Sequence, residues 1–184
     1  MVAAAIAGFV LCAIGLWAIA VYNALVKLRN LKEEGWSGVD VQLKRRYDLV
    51  GNLVNSVKGY LVHERGVLED VTRLRAESRQ ARSVPEFAAA EAGLSGALGR
   101  LFAVMENYPD LKASSNVLDL QTALENLEND IQMARRYYNG TVRELNTQVQ
   151  TFPANLVASK FGFSRADFFE LGNEAEKEAP TVNF

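Results

Sequence analysis

The sequence predicts an all-α protein in which an N-terminal transmembrane helix is followed by an elongated antiparallel four-helix bundle. Residues 1–26 carry no acidic or basic side chain, and the remainder of the chain repeats apolar residues at helical spacing. No segment shows the alternation of apolar and polar residues that is typical of strands. We expect an anchor over residues 1–26, a helical bundle over 27–171 and an acidic tail over 172–184.

The first element is the apolar run over residues 2–22. A helix over this run would be about 31 Å long, close to the roughly 30 Å hydrocarbon core of a bilayer. Trp17 and Tyr22 stand toward its end, where amphipathic rings favour the lipid–water interface. The alternative is a cleaved signal peptide with a small-residue site at 18–20. The length of the run and the lack of a basic segment before it favour a retained anchor.

The charges that follow the run predict its orientation. Lys27, Arg29 and Lys32 come soon after the span, whereas no charged side chain precedes it. The positive-inside rule then places the bundle in the cytoplasm and the short N-terminus outside. We therefore expect a single-pass protein of the bacterial inner (cytoplasmic) membrane.

Four small residues recur at helical spacing within the span: Ala4, Gly8, Cys12 and Gly15. Such a small-residue stripe lets two membrane helices approach closely. It favours a homo-oligomer, although the ordinary Ala and Gly content of a span would also produce it. Cys12 has no partner for a disulfide, so a passive small side chain is its simplest role.

The second element is a long helix predicted over about residues 35–82. Of the twelve core positions of one seven-residue repeat from Trp36 to Leu74, ten are apolar or aromatic. The helix can be continuous with the membrane span because no Pro separates the two. It ends before Ser83, which with Pro85 and Glu86 forms a capping box for the next helix.

The later elements are three further helices and a turn. The helix after the capping box runs to Tyr108, where Pro109 ends it. Another is predicted over about residues 110–152, and a short helix over 154–160 closes on Gly162. Residues 164–167 have the composition of a cap for one more turn. Short connections between long helices favour antiparallel neighbours, hence the bundle.

Three charged residues interrupt the apolar stripes: Arg46, Glu64 and Glu91. A charge on a buried stripe must be paired, or it costs several kcal/mol. Arg46 and Glu64 lie about 27 Å apart along one helix, so each needs a partner on another helix or chain. We interpret the three as determinants of helix register or of assembly. The alternative is that they lie at the edge of the stripe and reach water.

The composition excludes several kinds of site. One His and one Cys cannot supply a Cys/His zinc site, and the net charge of −2 gives no attraction to nucleic acid. His63 and Glu64 begin like a zinc-protease motif, but position 67 is Val. No acid, base and nucleophile stand together in the sequence. We predict no catalytic residue, no metal, no cofactor and no enzyme activity.

Nine groups of residues resemble one bacterial family. They are Tyr22-Asn23, Leu28-Arg29-Asn30, Trp36-Ser37, residues 41–50 with 52–54, residues 57–60 with His63-Glu64, residues 108–113, Ala134-Arg135 with Tyr138-Asn139, Phe152-Pro153, and residues 168–170. On these groups the chain resembles the LemA family over about residues 20–171. Gly51 is a departure, since the resemblance leads us to expect Pro there.

The resemblance implies an N-terminal anchor, an antiparallel four-helix bundle and no established catalytic activity. It also implies relatives that include a magnetosome-membrane protein, and an association of the family with a heat-shock membrane metalloprotease. We therefore predict a non-catalytic membrane-anchored protein that self-assembles and organises the bacterial envelope membrane or scaffolds membrane proteins. The expected partners are the lipid bilayer, further copies of the chain and a membrane protein.

An adaptor or regulator of a membrane protease in the envelope stress response is the alternative function. Such an adaptor would present clients through the bundle face or through the acidic tail. Deleting residues 173–184 separates the two functions: an adaptor that uses its tail should lose partner recovery, whereas a scaffold should keep its assembly.

Overall fold

A computed structural model describes residues 1–170 of the protein. Within that range the regular secondary structure is entirely helical, so the all-α prediction is confirmed. The described helices are α1 (Val2–Val57), α2 (Arg65–Gln80), α3 (Val84–Met105), α4 (Pro109–Lys112), α5 (Ser115–Gln150) and α6 (Ala154–Lys160). The number of helices in the bundle and the domain boundaries at 26 and 171 stay predictions. The predicted tail over 172–184 lies outside the described residues.

Helix α1 runs without a break from the apolar N-terminal segment into the following residues. Its 56 residues correspond to about 84 Å of helix. The prediction that the apolar N-terminal segment continues into the next helix is therefore confirmed. The N-terminal part of α1 is long and apolar enough to cross a membrane, and none of its most apolar stretch is buried in the chain. Helix α3 also passes this length and composition test, but a third of its apolar stretch is buried.

The single helix predicted over residues 35–82 is wrong, because α1 ends at Val57 and α2 begins at Arg65. The N–H groups of Tyr60 and Leu61 both donate to the Val57 carbonyl oxygen, which closes a turn that contains Gly59. Leu61 is fully buried and fixes that turn in the core. The seven-residue repeat continues across the turn, which is why the pattern does not reveal the break.

The N-terminus of α3 follows the capping prediction. Ser83 is the N-cap, and its hydroxyl accepts a hydrogen bond from the Glu86 N–H at 3.4 Å. The Glu86 carboxylate in turn accepts from the Arg82 N–H at 2.9 Å. The hydrogen bond from the Arg82 N–H to the carboxylate, and after it the interaction of the carboxylate with the Ser83 side chain, lower the pKa of Glu86. The capping box therefore satisfies backbone donors that the first turn of a helix leaves unpaired.

Two details of the C-terminal half differ from the prediction. The helix expected over 110–152 is divided into α4 and α5 by residues 113–114, whereas α6 occupies the predicted range and Gly162 follows it at φ 73°. The predicted turn at residues 164–167 is wrong, since that segment is not helical. Its backbone groups bond instead to two side chains of α5, those of Tyr138 and Asn146.

The described chain divides into two compact units. The first combines Met1–Asp40 with Met133–Asp167, and the second combines Val41–Gln132 with the described residues 168–170. In the first unit α1 and α5 run antiparallel, with Gly35 beside Tyr138 and Leu25 in one core cluster with Leu145. That core cluster consists of Val21, Leu25, Leu145, Ala154, Val157 and Ala158.

The second unit is built from parts of α1 and α5 together with α2, α3 and α4. Its fully buried side chains include Leu43, Val50, Leu53, Val71, Leu94, Leu101 and Leu111. Helix α2 packs against α3, and it crosses α1 where Arg75 meets Gly51. Gly51, the position at which the family resemblance favours Pro, therefore lies inside α1 and leaves room for an arginine side chain.

Candidate functional site

A polar cluster is buried in the second unit, and we call it the Arg46 cluster. It comprises Arg46 and Tyr47 of α1, Glu91 and Ser95 of α3, and Glu128 of α5. The Arg46 guanidinium donates from Nη1 to Glu91 Oε2 at 3.0 Å and from Nη2 to Ser95 Oγ at 2.9 Å. The same Nη1 lies 3.2 Å from Glu128 Oε2. One cation therefore joins three helices.

Tyr47 supplies the hydrogen bond to the second carboxylate oxygen of Glu91. Its hydroxyl donates to Glu91 Oε1 at 2.9 Å and also lies 3.4 Å from the Ser78 carbonyl oxygen on α2. Both carboxylate oxygens of Glu91 are thus engaged. The side chains of Arg46 and Glu91 are only 8% and 3% exposed. Since such burial excludes water, these hydrogen bonds must come from the protein itself.

The environment of Glu91 has opposing effects on its ionisation. Burial raises the pKa of Glu91, because a desolvated carboxylate loses the hydration of its charge. The Arg46 charge and the Tyr47 hydroxyl act in the other direction, but they only partly offset the burial. The net effect favours the protonated form of Glu91 relative to a carboxyl in water.

The chemistry available to the Arg46 cluster is structural. An arginine does not exchange protons near neutral pH, and the two oxygens of Glu91 are occupied by partners within the chain. No cysteine or histidine belongs to the cluster, and Ser95 binds the guanidinium rather than a base. Across residues 1–170 there is no group of three or more His, Cys, Asp or Glu side chains placed to hold a metal ion.

The N-terminal helix supplies the second candidate region. Ala4, Gly8, Cys12 and Gly15 all lie on the exposed part of α1. A Cβ atom built on Gly8 or Gly15 would meet nothing within 4 Å, so the chain itself leaves the surface beside these glycines open.

The two aromatic residues predicted for the lipid–water interface lie further along α1. Trp17 is 38% exposed and Tyr22 is 37% exposed. The ring of Tyr22 makes an edge contact with Phe161, at 4.9 Å between ring centroids. The end of the apolar segment therefore has packing partners within the chain, whereas its beginning is exposed.

A comparison with protein families shows to which family the chain belongs. The model of the LemA family matches residues 35–184, which is most of the chain. The chain belongs to the LemA family. The predicted family resemblance is thereby confirmed.

Individual relatives of this LemA-family chain share about a quarter of its residues. Two proteins named magnetosome protein MamQ 1 and MamQ 2, from Paramagnetospirillum magneticum, are each 26% identical to it over 175 residues, covering 81% of this chain. A protein named LemA from Metamycoplasma hominis is 28% identical over 152 residues, covering 80% of this chain and 68% of its own length. The chain spans 64% of the length of the two MamQ relatives.

The structure brings together two of the three charged stripe residues of this LemA-family chain. Arg46 and Glu91 are paired, whereas Glu64 lies apart from them, half-buried at the N-cap of α2, where its side chain makes no cap hydrogen bond. The expectation that Arg46 finds a partner on another helix is met inside the chain. A role of these charges in assembly stays a prediction.

Sequence reasoning did not find Tyr47, Ser95 or Glu128. Tyr47 directly follows Arg46, so it falls outside the seven-residue repeat although it is buried. Glu128 directly follows Leu127 of an apolar stripe, and it is indistinguishable by sequence from the solvated acids around it. A place next to a charged stripe residue is a signal for Tyr47 alone, since Ser95 and Glu128 each follow an apolar stripe residue.

Proposed function

We propose that this LemA-family protein is a non-catalytic, membrane-anchored scaffold that self-assembles through its N-terminal helix in the bacterial envelope membrane. One observation carries the proposal. The part of α1 from Val2 to Trp17 is exposed, although it is almost entirely apolar, whereas the same helix is repeatedly buried from Val21 onward.

The exposed segment needs an apolar environment that the described chain does not provide. Large apolar side chains point outward on several sides of the helix: Ile6, Phe9, Val10, Leu11, Ile14 and Leu16. Burying one such side chain fully is worth about 1.5–3 kcal/mol. A helix that is apolar all round and about 20 residues long matches a bilayer. The basic residues Lys27, Arg29 and Lys32 support an orientation with the folded units in the cytoplasm.

Self-assembly is supported by the small-residue stripe of the same segment. At about 100° per residue, Ala4, Gly8, Cys12 and Gly15 fall within about 80° of one another around the helix. Lipid gives helices no hydrophobic drive to associate, so close backbone approach at such a stripe is what favours pairing. The relatives' names assign no reaction to those proteins, which agrees with a role other than catalysis.

The test is the mass of the full-length protein in detergent or nanodiscs, measured by light scattering. The double variant Gly8→Leu/Gly15→Leu fills the stripe and should convert a multimer into a monomer. The matched control is Ala13→Leu, which adds bulk on the opposite side of the helix and should leave the mass unchanged. A monomeric wild-type protein, or equal effects of both substitutions, would contradict assembly through the stripe.

A further inference from the structure

We propose that the segment from the end of α5 through α6 is a second membrane-contacting element, which inserts Phe152, Leu156 and Phe161 into the interfacial region of a bilayer with anionic headgroups. We call residues 150–163 the α5–α6 corner. This inference rests on the proposed membrane span of α1. It adds that the protein meets the membrane at two places in its chain.

The register of α1 and α5 places the corner at the end of the membrane span. Gly35 lies beside Tyr138, since a Cβ atom on Gly35 would be 3.2 Å from the Tyr138 Cα. Antiparallel helices rise by the same distance per residue, so equal steps from this pair lead back to Asn23 on α1 and forward to Gln150, the last residue of α5. Asn23 directly follows the apolar run over residues 2–22. The start of the corner is therefore level with the end of that run.

Direct contacts also place the corner beside the end of the apolar run of α1. Val21 and Leu25 of α1 share a core cluster with Ala154 and Val157 of α6. The Tyr22 ring also contacts Phe161, just after the end of α6. The corner is thus packed against the turn of α1 that carries the predicted interface aromatic.

The outward side of the corner is unusually apolar for a protein surface. Phe152 is 74% exposed, Leu156 is 61% exposed and Phe161 is 59% exposed. The inward-facing residues of α6, such as Val157 and Ala158, are buried. A short amphipathic segment of this kind suits the boundary between headgroups and acyl chains. Grouped exposed apolar side chains mark interaction surfaces more often than isolated ones do.

The charges around the corner favour a lipid surface over a protein partner. Five basic residues lie in the two stretches 2–32 and 145–166: Lys27, Arg29, Lys32, Lys160 and Arg165. Neither stretch contains an acidic residue. Anionic headgroups attract basic residues near the surface by about 1 kcal/mol each. Arg29 lies over the Phe163 ring, 5.4 Å from its centroid, so the corner carries positive charge beside its apolar tip and is complementary to an anionic bilayer.

The experiment measures where a nitroxide spin label at the corner sits relative to the bilayer. Full-length protein with Cys12→Ser is reconstituted into vesicles of phosphatidylcholine and phosphatidylglycerol, and a single label is attached through Leu156→Cys. Power saturation compares collisions with oxygen, which concentrates in lipid, and with a water-soluble nickel chelate. We expect the Leu156 label to collide preferentially with oxygen.

Two further labels separate this inference from the proposed span. Met133→Cys is the matched control, since Met133 is a large apolar side chain of α5 that is 55% exposed but lies several helical turns before the corner. Its label should prefer the nickel chelate. Ile14→Cys reports on the span itself, because Ile14 is 55% exposed within the apolar segment.

The combined results have distinct meanings. Oxygen preference at Ile14 with nickel preference at Leu156 would overturn the corner as a membrane element while leaving the span intact. Nickel preference at Ile14 would overturn the span. A Leu156 label shielded from both relaxants would identify a protein contact, such as a second copy, and would also overturn the inference. A label through Phe161→Cys repeats the measurement if Leu156→Cys fails to fold.

Discussion

The side-chain amide of Asn146 binds both backbone polar groups of Ala166. Its Nδ2 donates to the Ala166 carbonyl oxygen at 2.9 Å, and its Oδ1 accepts from the Ala166 N–H at 2.8 Å. Two turns earlier along α5, the Tyr138 hydroxyl donates to the Asp167 carbonyl oxygen at 2.9 Å. Two side chains of one helix thus take the place of the helical hydrogen bonds that residues 164–167 lack.

Replacing Asn146 with Ala should release this segment. Both hydrogen bonds are lost and the half-buried backbone groups of Ala166 are left without this partner, so we expect a loss of about 1–3 kcal/mol in the free energy of unfolding. Hydrogen exchange at the Ala166 amide should accelerate. Asn129→Ala is the control, because Asn129 is exposed and bonds to Glu125 within its own helix. Unchanged exchange at Ala166 would contradict the assigned role.

Arg46 and Glu91 should be strongly coupled in their effects on the free energy of unfolding. Arg46→Leu or Glu91→Leu leaves one buried charge without its main partner, which typically costs about 3–5 kcal/mol. The double variant replaces the pair with apolar side chains and should cost much less than the sum. Thermal unfolding followed by circular dichroism measures all three variants. Additive costs would show that the two residues act independently. Arg73→Leu, which removes the two exposed ion pairs with Asp70 and Glu77, should change the free energy of unfolding little.

The charged stripe residues are also predicted to affect assembly of the protein. If they determine it, Arg46→Leu and Glu64→Leu should change the mass of the detergent-solubilised protein. Because Arg46 has partners inside the chain and Glu64 makes no cap hydrogen bond, the structure favours the larger effect at Glu64. Unchanged mass in both variants, with circular dichroism spectra of the folded protein, would show that these charges act only within one chain.

Glu91 should also contribute a distinct pH dependence to stability. Its pKa is raised in the folded protein above the ordinary value of 4.5, so the folded chain holds this proton more tightly than the unfolded chain does. Its contribution to the free energy of unfolding is greatest below 4.5 and falls as the pH rises through the raised pKa. Glu91→Gln cannot titrate. The stability of the wild type minus that of Glu91→Gln should therefore decrease as the pH rises above 4.5. An increase would show that the attraction of Arg46 outweighs burial.

Gly51 and Arg75 should be coupled through the close approach of α1 and α2. A Cβ atom at position 51 would lie 2.8 Å from Arg75 Nη2, while Arg75 Nε donates to the Tyr47 carbonyl oxygen. Gly51→Ala gains about 1 kcal/mol of helix propensity but must displace that guanidinium. In an Arg75→Ala background the full gain should appear in unfolding measurements. Equal effects in both backgrounds would show that the arginine moves aside freely.

Local sequence patterns predicted the elements better than the contacts between them. The capping box at Ser83 and the helix over 154–160 depend on neighbouring residues, and both were found. The turn after Val57 was missed because the seven-residue repeat continues through it. The repeat identified Arg46 as needing a partner but not which one, since Glu91 and Glu128 belong to separate helices far along the chain. Such pairings depend on how helices pack, which no local pattern encodes.

The core around Leu25 has a consequence for the order in which the chain folds. Leu25 packs in one cluster with Val157 of α6, whereas most of the second unit comes from the continuous stretch Val41–Gln132. A chain made from its N-terminus can assemble that stretch early, but the partners of Leu25 are synthesised nearly last. Throughout most of synthesis, the turn of α1 that contains Leu25 therefore lacks these packing partners. Termination between α2 and α6 would leave Val21 and Leu25 without the α6 residues that cover them.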